Sequence, residues 1–160
     1  MRSFITFFIA CFSIAAFPVQ ADTPKTSPLI GAWAVDIARL PVPPQARPKS
    51  VKITFSQAKA GGMTMRVDVT DPAGNQIFAE STSALDGTAV AVQGNLEADT
   101  AASTMPLPSV LVSQLARGGA PSSTRVYAVA ADGKTMTETA TYTAADGKPA
   151  LRTNYFSKVQ

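Results

Sequence analysis

The stretch "TRVYAVAADGKTMTETATYTAADGKPALRTNYFSK", residues 124–158, holds two copies of Ala-Asp-Gly-Lys, at 131–134 and 145–148. Asp-Gly is the strongest short hairpin signal, because Gly adopts the positive φ that a tight turn demands and Asp tolerates it. The spacing between the copies leaves room for one strand and one turn. Three strands in series follow, and the recurrence is that of adjacent hairpins rather than of a solenoid. The threonines at 135, 137, 139 and 141 occupy one face of the middle strand, and that face reads as the wet exterior of a sheet.

The same two-residue rhythm runs back toward the N-terminus. Val51, Ile53 and Phe55 alternate with Lys52, Thr54 and Ser56, and Met63, Met65, Val67 and Val69 alternate with Thr64, Arg66, Asp68 and Thr70. Such alternation marks strands with one dry and one wet face. Turn residues punctuate the runs at Ala60–Gly62, Asp71–Asn75 and Asp86–Gly87. Pro108–Gly119 admits two readings, a two-turn helix capped by Ser109 or a strand entering a Gly-Gly turn, and the strand is preferred. With it, eight to ten strands share about 130 residues with short connections, which requires antiparallel order. So many strands on so short a chain close into a barrel or stack as a sandwich.

Residues 1–21 are expected to stand outside this domain. Met1 and Arg2 form a basic start, and Phe4–Phe17 is an almost unbroken apolar run, too short to anchor in a bilayer. Val19 and Ala21 then supply the small residues of a cleavage site. The pattern predicts a signal helix removed after Ala21, and hence a periplasmic or secreted protein with no stable membrane insertion. Cys11 sits in a faint lipoprotein-like "FIAC", but the apolar run continues past it, which favours an ordinary signal. Residues 22–30, polar and carrying two prolines, read as a flexible tether, and residues 31–160 as one barrel-sized domain.

Loss of the signal removes the only cysteine of a chain that has no histidine. A Ser-His-Asp triad, a Cys-His pair and the usual zinc sites are thereby excluded, and no metal or other cofactor is expected. No Gly-rich phosphate loop precedes a helix. The formal charge of +3 falls by one with Arg2, and the remaining basic residues are too scattered to suggest nucleic acid. The acids sit in turns rather than in marked pairs. The chain reads as a binding protein rather than an enzyme, with carboxylate-based catalysis as an alternative.

A resemblance sharpens the architecture. "GAW" at 31–33 opens the first strand, followed by "RPKS" (47–50), "QGN" (93–95), "ADT" (98–100) and "ADGKT" (131–135). In that order they resemble the motifs of secreted bacterial lipocalin-like proteins, and "GAW" is similar to the Gly-x-Trp start of the lipocalins. The resemblance implies a single antiparallel up-and-down barrel. In it Trp33, beside the close-approach residue Gly31, would plug one end, and Arg152 on the last strand would lie against the indole. Unlike the relatives, this chain carries Pro106 and Pro108 in a bland 101–108 stretch, so ladder pairing there is expected to suffer.

The expected function is binding of a small hydrophobic or amphipathic molecule inside the barrel. Met63, Met65 and Val67 form an apolar stripe suited to an irregular guest. Arg125 and Tyr127, two apart on one strand face, are similar to the Arg-x-Tyr pair with which small lipid-binding barrels hold a carboxylate. Arg66 is a further polar candidate, although Asp68 on the same face offers it a partner in solvent. The competing expectation is an interaction or inhibitor protein with a solid core, using residues 22–30 as an inserted arm.

Overall fold

The computed structural model describes residues 26–94 and 97–159. The expected signal helix, residues 1–21, and Cys11 within it lie outside the described residues.

Eleven strands form the fold: β1 (Gly31–Val35), β2 (Ser50–Gln57), β3 (Met63–Thr70), β4 (Gln76–Ser83), β5 (Asp86–Ala91), β6 (Gln93–Gly94), β7 (Thr100–Leu107), β8 (Val110–Arg117), β9 (Ala120–Val129), β10 (Thr135–Thr143) and β11 (Pro149–Val159). They exceed the expected eight to ten by one, and β6 is only two residues long. All ladders are antiparallel, in the order β5-β7-β8-β9-β10-β11-β1-β2-β3-β4-β6. The closing step joins the last strand to the first, β1 with β11, so that Trp33 stands opposite Lys158. The result is an all-β, nearly closed barrel, compatible with a lipocalin-like fold. Its one unladdered seam among the described residues lies between β5 and the β4–β6 pair.

The ambiguous Pro108–Gly119 segment is a strand, β8, with Leu111, Ser113 and Leu115 facing inward. The proline-bearing stretch also pairs, as β7, against both β5 and β8. The cost of Pro106 is local: the β7–β8 register shifts between Thr104 and Leu107, the irregularity that a residue without an N–H imposes on a ladder. Between β1 and β2 the proline-rich crossing makes two single 3-10 turns, Ile37–Arg39 and Pro44–Ala46.

One end of the barrel is packed solid. Trp33 and Leu29 have no exposed surface, and Phe55, Met63, Leu111, Met136 and Phe156 surround them. The Trp33 indole N–H donates to the Leu29 carbonyl at 2.7 Å, which satisfies the polar edge of an otherwise apolar plug. The cation over this ring is Lys158, its Nζ 5.0 Å from the centroid; Arg152, expected there, lies instead 5.6 Å from the Tyr142 ring. Lys158 sits opposite Trp33 in the ladder, whereas Arg152 is six residues nearer the other end of β11. Gly31 has φ +125°, and a Cβ on it would approach Lys158 Cε to 2.9 Å; the glycine gives the lysine its path over the indole. Lys158 Nζ also donates to the Pro28 carbonyl at 3.1 Å, and Ser27 Oγ donates to the Pro108 carbonyl at 2.6 Å. Ser27–Ile30 is therefore a strap fixed across the plug rather than part of a tether. Leu29 explains the correction, since a fully apolar side chain within the polar segment gains by entering the core.

Gly94 holds the short β6 against β4. Its φ is +101°, and a Cβ there would meet the Phe78 carbonyl oxygen at 2.1 Å. Gly94→Ala is expected to destabilise the protein by about 1–3 kcal/mol, the range for a forced backbone conformation. Denaturant unfolding and faster amide exchange in β4 would register it.

Candidate functional site

Above the plug the barrel is hollow, with a cavity of about 410 Å³. One wall is apolar. The inward residues of β2 and β3 supply Val51, Ile53, Met65 and Val67, because odd-numbered positions share the inner face and pair across the ladder, Ile53 with Val67 and Phe55 with Met65. Leu40, Pro41 and Val42 of the proline-rich crossing cover this wall from above.

The opposite wall, from β9, β10 and β11, is polar. The ladders put Tyr127, Glu138 and Asn154 in one row across the three strands, and all three point inward. Glu138 is 2% exposed. Its carboxylate accepts from Asn154 Nδ2 at 2.8 Å and from the Tyr127 hydroxyl at 3.4 Å, and it forms an ion pair with the Arg125 guanidinium. Arg125, one inward position above Tyr127, forms a second ion pair with Glu97, which is about half exposed at the cavity rim. Tyr127 also packs edge-on against Phe55, with ring centroids 5.7 Å apart. The cluster is thus built into the core on one side and faces open space on the other.

Burial opposes the charge on Arg125, but the oxygens of Tyr127, Glu138 and Glu97 outweigh it and push its pKa up. Burial, reinforced by the Glu138 charge and opposed by Arg125, pushes the Tyr127 hydroxyl well above the usual phenol range. Tyr127 is therefore a hydrogen-bond donor at any working pH. Removing Glu138 from its partners would leave the buried cation with only the half-exposed Glu97 as counter-charge, so the four side chains act as a unit.

The polar wall is not fully satisfied. Asn154 is 9% exposed, and its Oδ1 is buried without a partner; Arg152 Nε is likewise buried without one. Both residues line the cavity.

Of the residues singled out by sequence, Met65, Val67, Arg125 and Tyr127 line this space together. Met63 does not: it is packed into the plug below. Arg66 is on the outer surface, where it pairs with Asp68 at 2.9 Å and Glu80 at 3.3 Å and lies over the Phe78 ring. Its even-numbered position on β3 places it opposite in sense to Met65 and Val67. Glu138 and Asn154 escaped notice, although Glu138 sits between Met136 and Ala140 on the face opposite the threonines. Among the described residues no three His, Cys, Asp or Glu side chains cluster as metal ligands would.

The same geometry sets a pH profile. The Asn75 side chain, bonded at 2.8 Å, and backbone N–H groups hold the Asp71 carboxyl below the ordinary range. The N–H groups of Lys134 and Thr135 do the same for Asp132. Depressed carboxyls contribute stability above the ordinary Asp pKa of about 3.9, and lose it as pH falls below that value. The raised Tyr127 hydroxyl works in the opposite sense: its contribution is complete below the ordinary Tyr pKa of about 10 and is lost as pH rises beyond it. With no histidine in the chain, unfolding midpoints are expected to be flat from about pH 6 to 8, with losses outside the two limits. Denaturant titrations across pH check this; a slope near neutrality contradicts it.

No protein-family model, curated protein or solved structure matches this chain.

Proposed function

We propose that this protein is an exported binding barrel that encloses one small amphipathic molecule. The observation that carries the reading is the cavity itself: about 410 Å³ between an apolar wall and a wall bearing Arg125, Glu138, Asn154 and Arg152. That volume falls within the range of small-molecule pockets, which combine apolar lining with a few placed polar groups. At about 30 Å³ per water-sized group, it accommodates on the order of a dozen heavy atoms. A solid-core interaction protein would have no use for such a void, and unfilled apolar space costs stability.

The test is native mass spectrometry of the protein purified from its own cells without detergent. A bound small molecule is expected, together with its loss in Met65→Trp, which places an indole in the cavity. A bare protein that also fails to take up added amphiphiles would refute the reading. The proposed export by residues 1–21 is checked separately by N-terminal sequencing of the mature protein, with Asp22 as the expected first residue.

A further inference from the structure

The inward face of β11 runs Arg152, Asn154, Phe156, from the cavity rim to the plug, since Ala140 and Glu138 of β10 pair with the first two and Met136 with the third. The two cavity arginines differ in state. Arg125 is neutralised twice, by Glu138 and Glu97. Arg152, by contrast, has no carboxylate partner among the described residues; its guanidinium lies over the Tyr142 ring, and its Nε is buried with no acceptor. Two residues along the same face, Asn154 gives its amide N–H to Glu138 and leaves its carbonyl oxygen buried without a donor.

Buried polar atoms are nearly always paired, and each exception calls for an explanation. Two of the three such exceptions among the described residues, the third being Ser122 Oγ, are neighbours, line one cavity and are complementary: a cationic donor and a neutral acceptor, with an apolar wall of Met65 and Val67 across from them. Resting on the binding-barrel reading, we propose that the guest is a medium-chain aliphatic acid carrying a hydroxyl near its acid group. Its carboxylate pairs with the Arg152 guanidinium, its hydroxyl donates to Asn154 Oδ1, and its chain lies along β2 and β3. Arg125 and Tyr127, the pair suggested by sequence, hold Glu138 and serve as the fixed support of this site. A cationic guest would leave Arg152 facing like charge. A plain hydrocarbon would leave both polar atoms as they are.

Calorimetric titration of the unliganded protein with 3-hydroxydecanoate, decanoate, decanol and decylamine separates these possibilities. Decanoate is expected to bind roughly 10–100-fold more tightly than decanol, the span of a charge-assisted hydrogen bond. 3-Hydroxydecanoate should gain a further several-fold from its hydroxyl. Arg152→Gln is expected to bring decanoate down to the decanol level while leaving decanol binding unchanged, which also shows that the variant is folded. Equal binding of decanoate and decanol to the native protein, or preference for decylamine, overturns the Arg152 assignment and leaves the barrel reading standing. No gain from the hydroxyl overturns the assignment of Asn154. Failure of all four to bind overturns the assignment, and the binding-barrel reading falls with it if the purified protein is also bare in native mass spectrometry.

Discussion

Glu138→Ala is expected to lower the stability of the protein by about 3–5 kcal/mol, the loss seen when one partner of a buried ion pair is deleted. The carboxylate is 2% exposed and binds Arg125, Tyr127 and Asn154 at once. Without it Arg125 keeps only Glu97, which is half in solvent, and two further donors lose their acceptor in the core. The result depends on the charge left behind more than on the contacts removed. An Arg125→Met, Glu138→Leu double variant, which buries no charge, should therefore be more stable than Glu138→Ala alone. Denaturant unfolding of the three proteins gives the comparison. A double variant less stable than Glu138→Ala would show that the charge left behind is not what destabilises the single variant, and that the polar wall is a set of independent contacts.

Trp33→Ala should cost a similar amount, about 3–5 kcal/mol, through the cavity it opens in the packed end of the barrel. Here the mechanism is volume, not charge. The indole has no exposed surface and is flanked by Leu29, Phe55 and Met136. Trp33→Phe separates the two parts of its role: most of the ring remains, but the Leu29 carbonyl loses its 2.7 Å donor, for about 1–3 kcal/mol. Far-ultraviolet circular dichroism must follow the unfolding, since Trp33 is the only tryptophan. A cost below about 1 kcal/mol for Trp33→Ala, far under the usual loss for a buried aromatic, would show that the strap and the lysine over the ring close this end without it.

Much of the architecture follows from local chemistry that a single strand carries with it. The Asp-Gly turns at 132–133 and 146–147 and the alternation in β2 and β3 need no partner to be recognised, and all of them stand in the structure as hairpins. The candidate site was legible only in part, because it is made by register. Tyr127 lies five residues before Asp132 and Glu138 five after Gly133, while Glu138 and Asn154 lie eight residues either side of Asp146. Counting outward from each turn would have set the three side by side. Arg125 and Tyr127 were visible as a pair on one face, but their partner was hidden by its neighbours, a threonine-rich stretch in which one acid looks like surface. Face parity likewise separates Arg66 from Met65. The strap and the Lys158 contact with Trp33 depend on how the chain ends meet when the barrel closes, and no local pattern announces that. Nor does local pattern reveal an unfilled interior: Met65 and Val67 would read the same against a packed core.

The unladdered seam between β5 and β4–β6 has a mechanical meaning. Everywhere else, parting two strands breaks a row of backbone hydrogen bonds; along this line it breaks none among the described residues. Residues of both flanks, Ala79 and Ser81 on one side and Val92 and Ala98 on the other, reach the hollow interior. Along this line the wall is held by side chains and by the chain itself, which passes from β5 to β6 through Val92, so it is where separating the wall costs the fewest backbone hydrogen bonds.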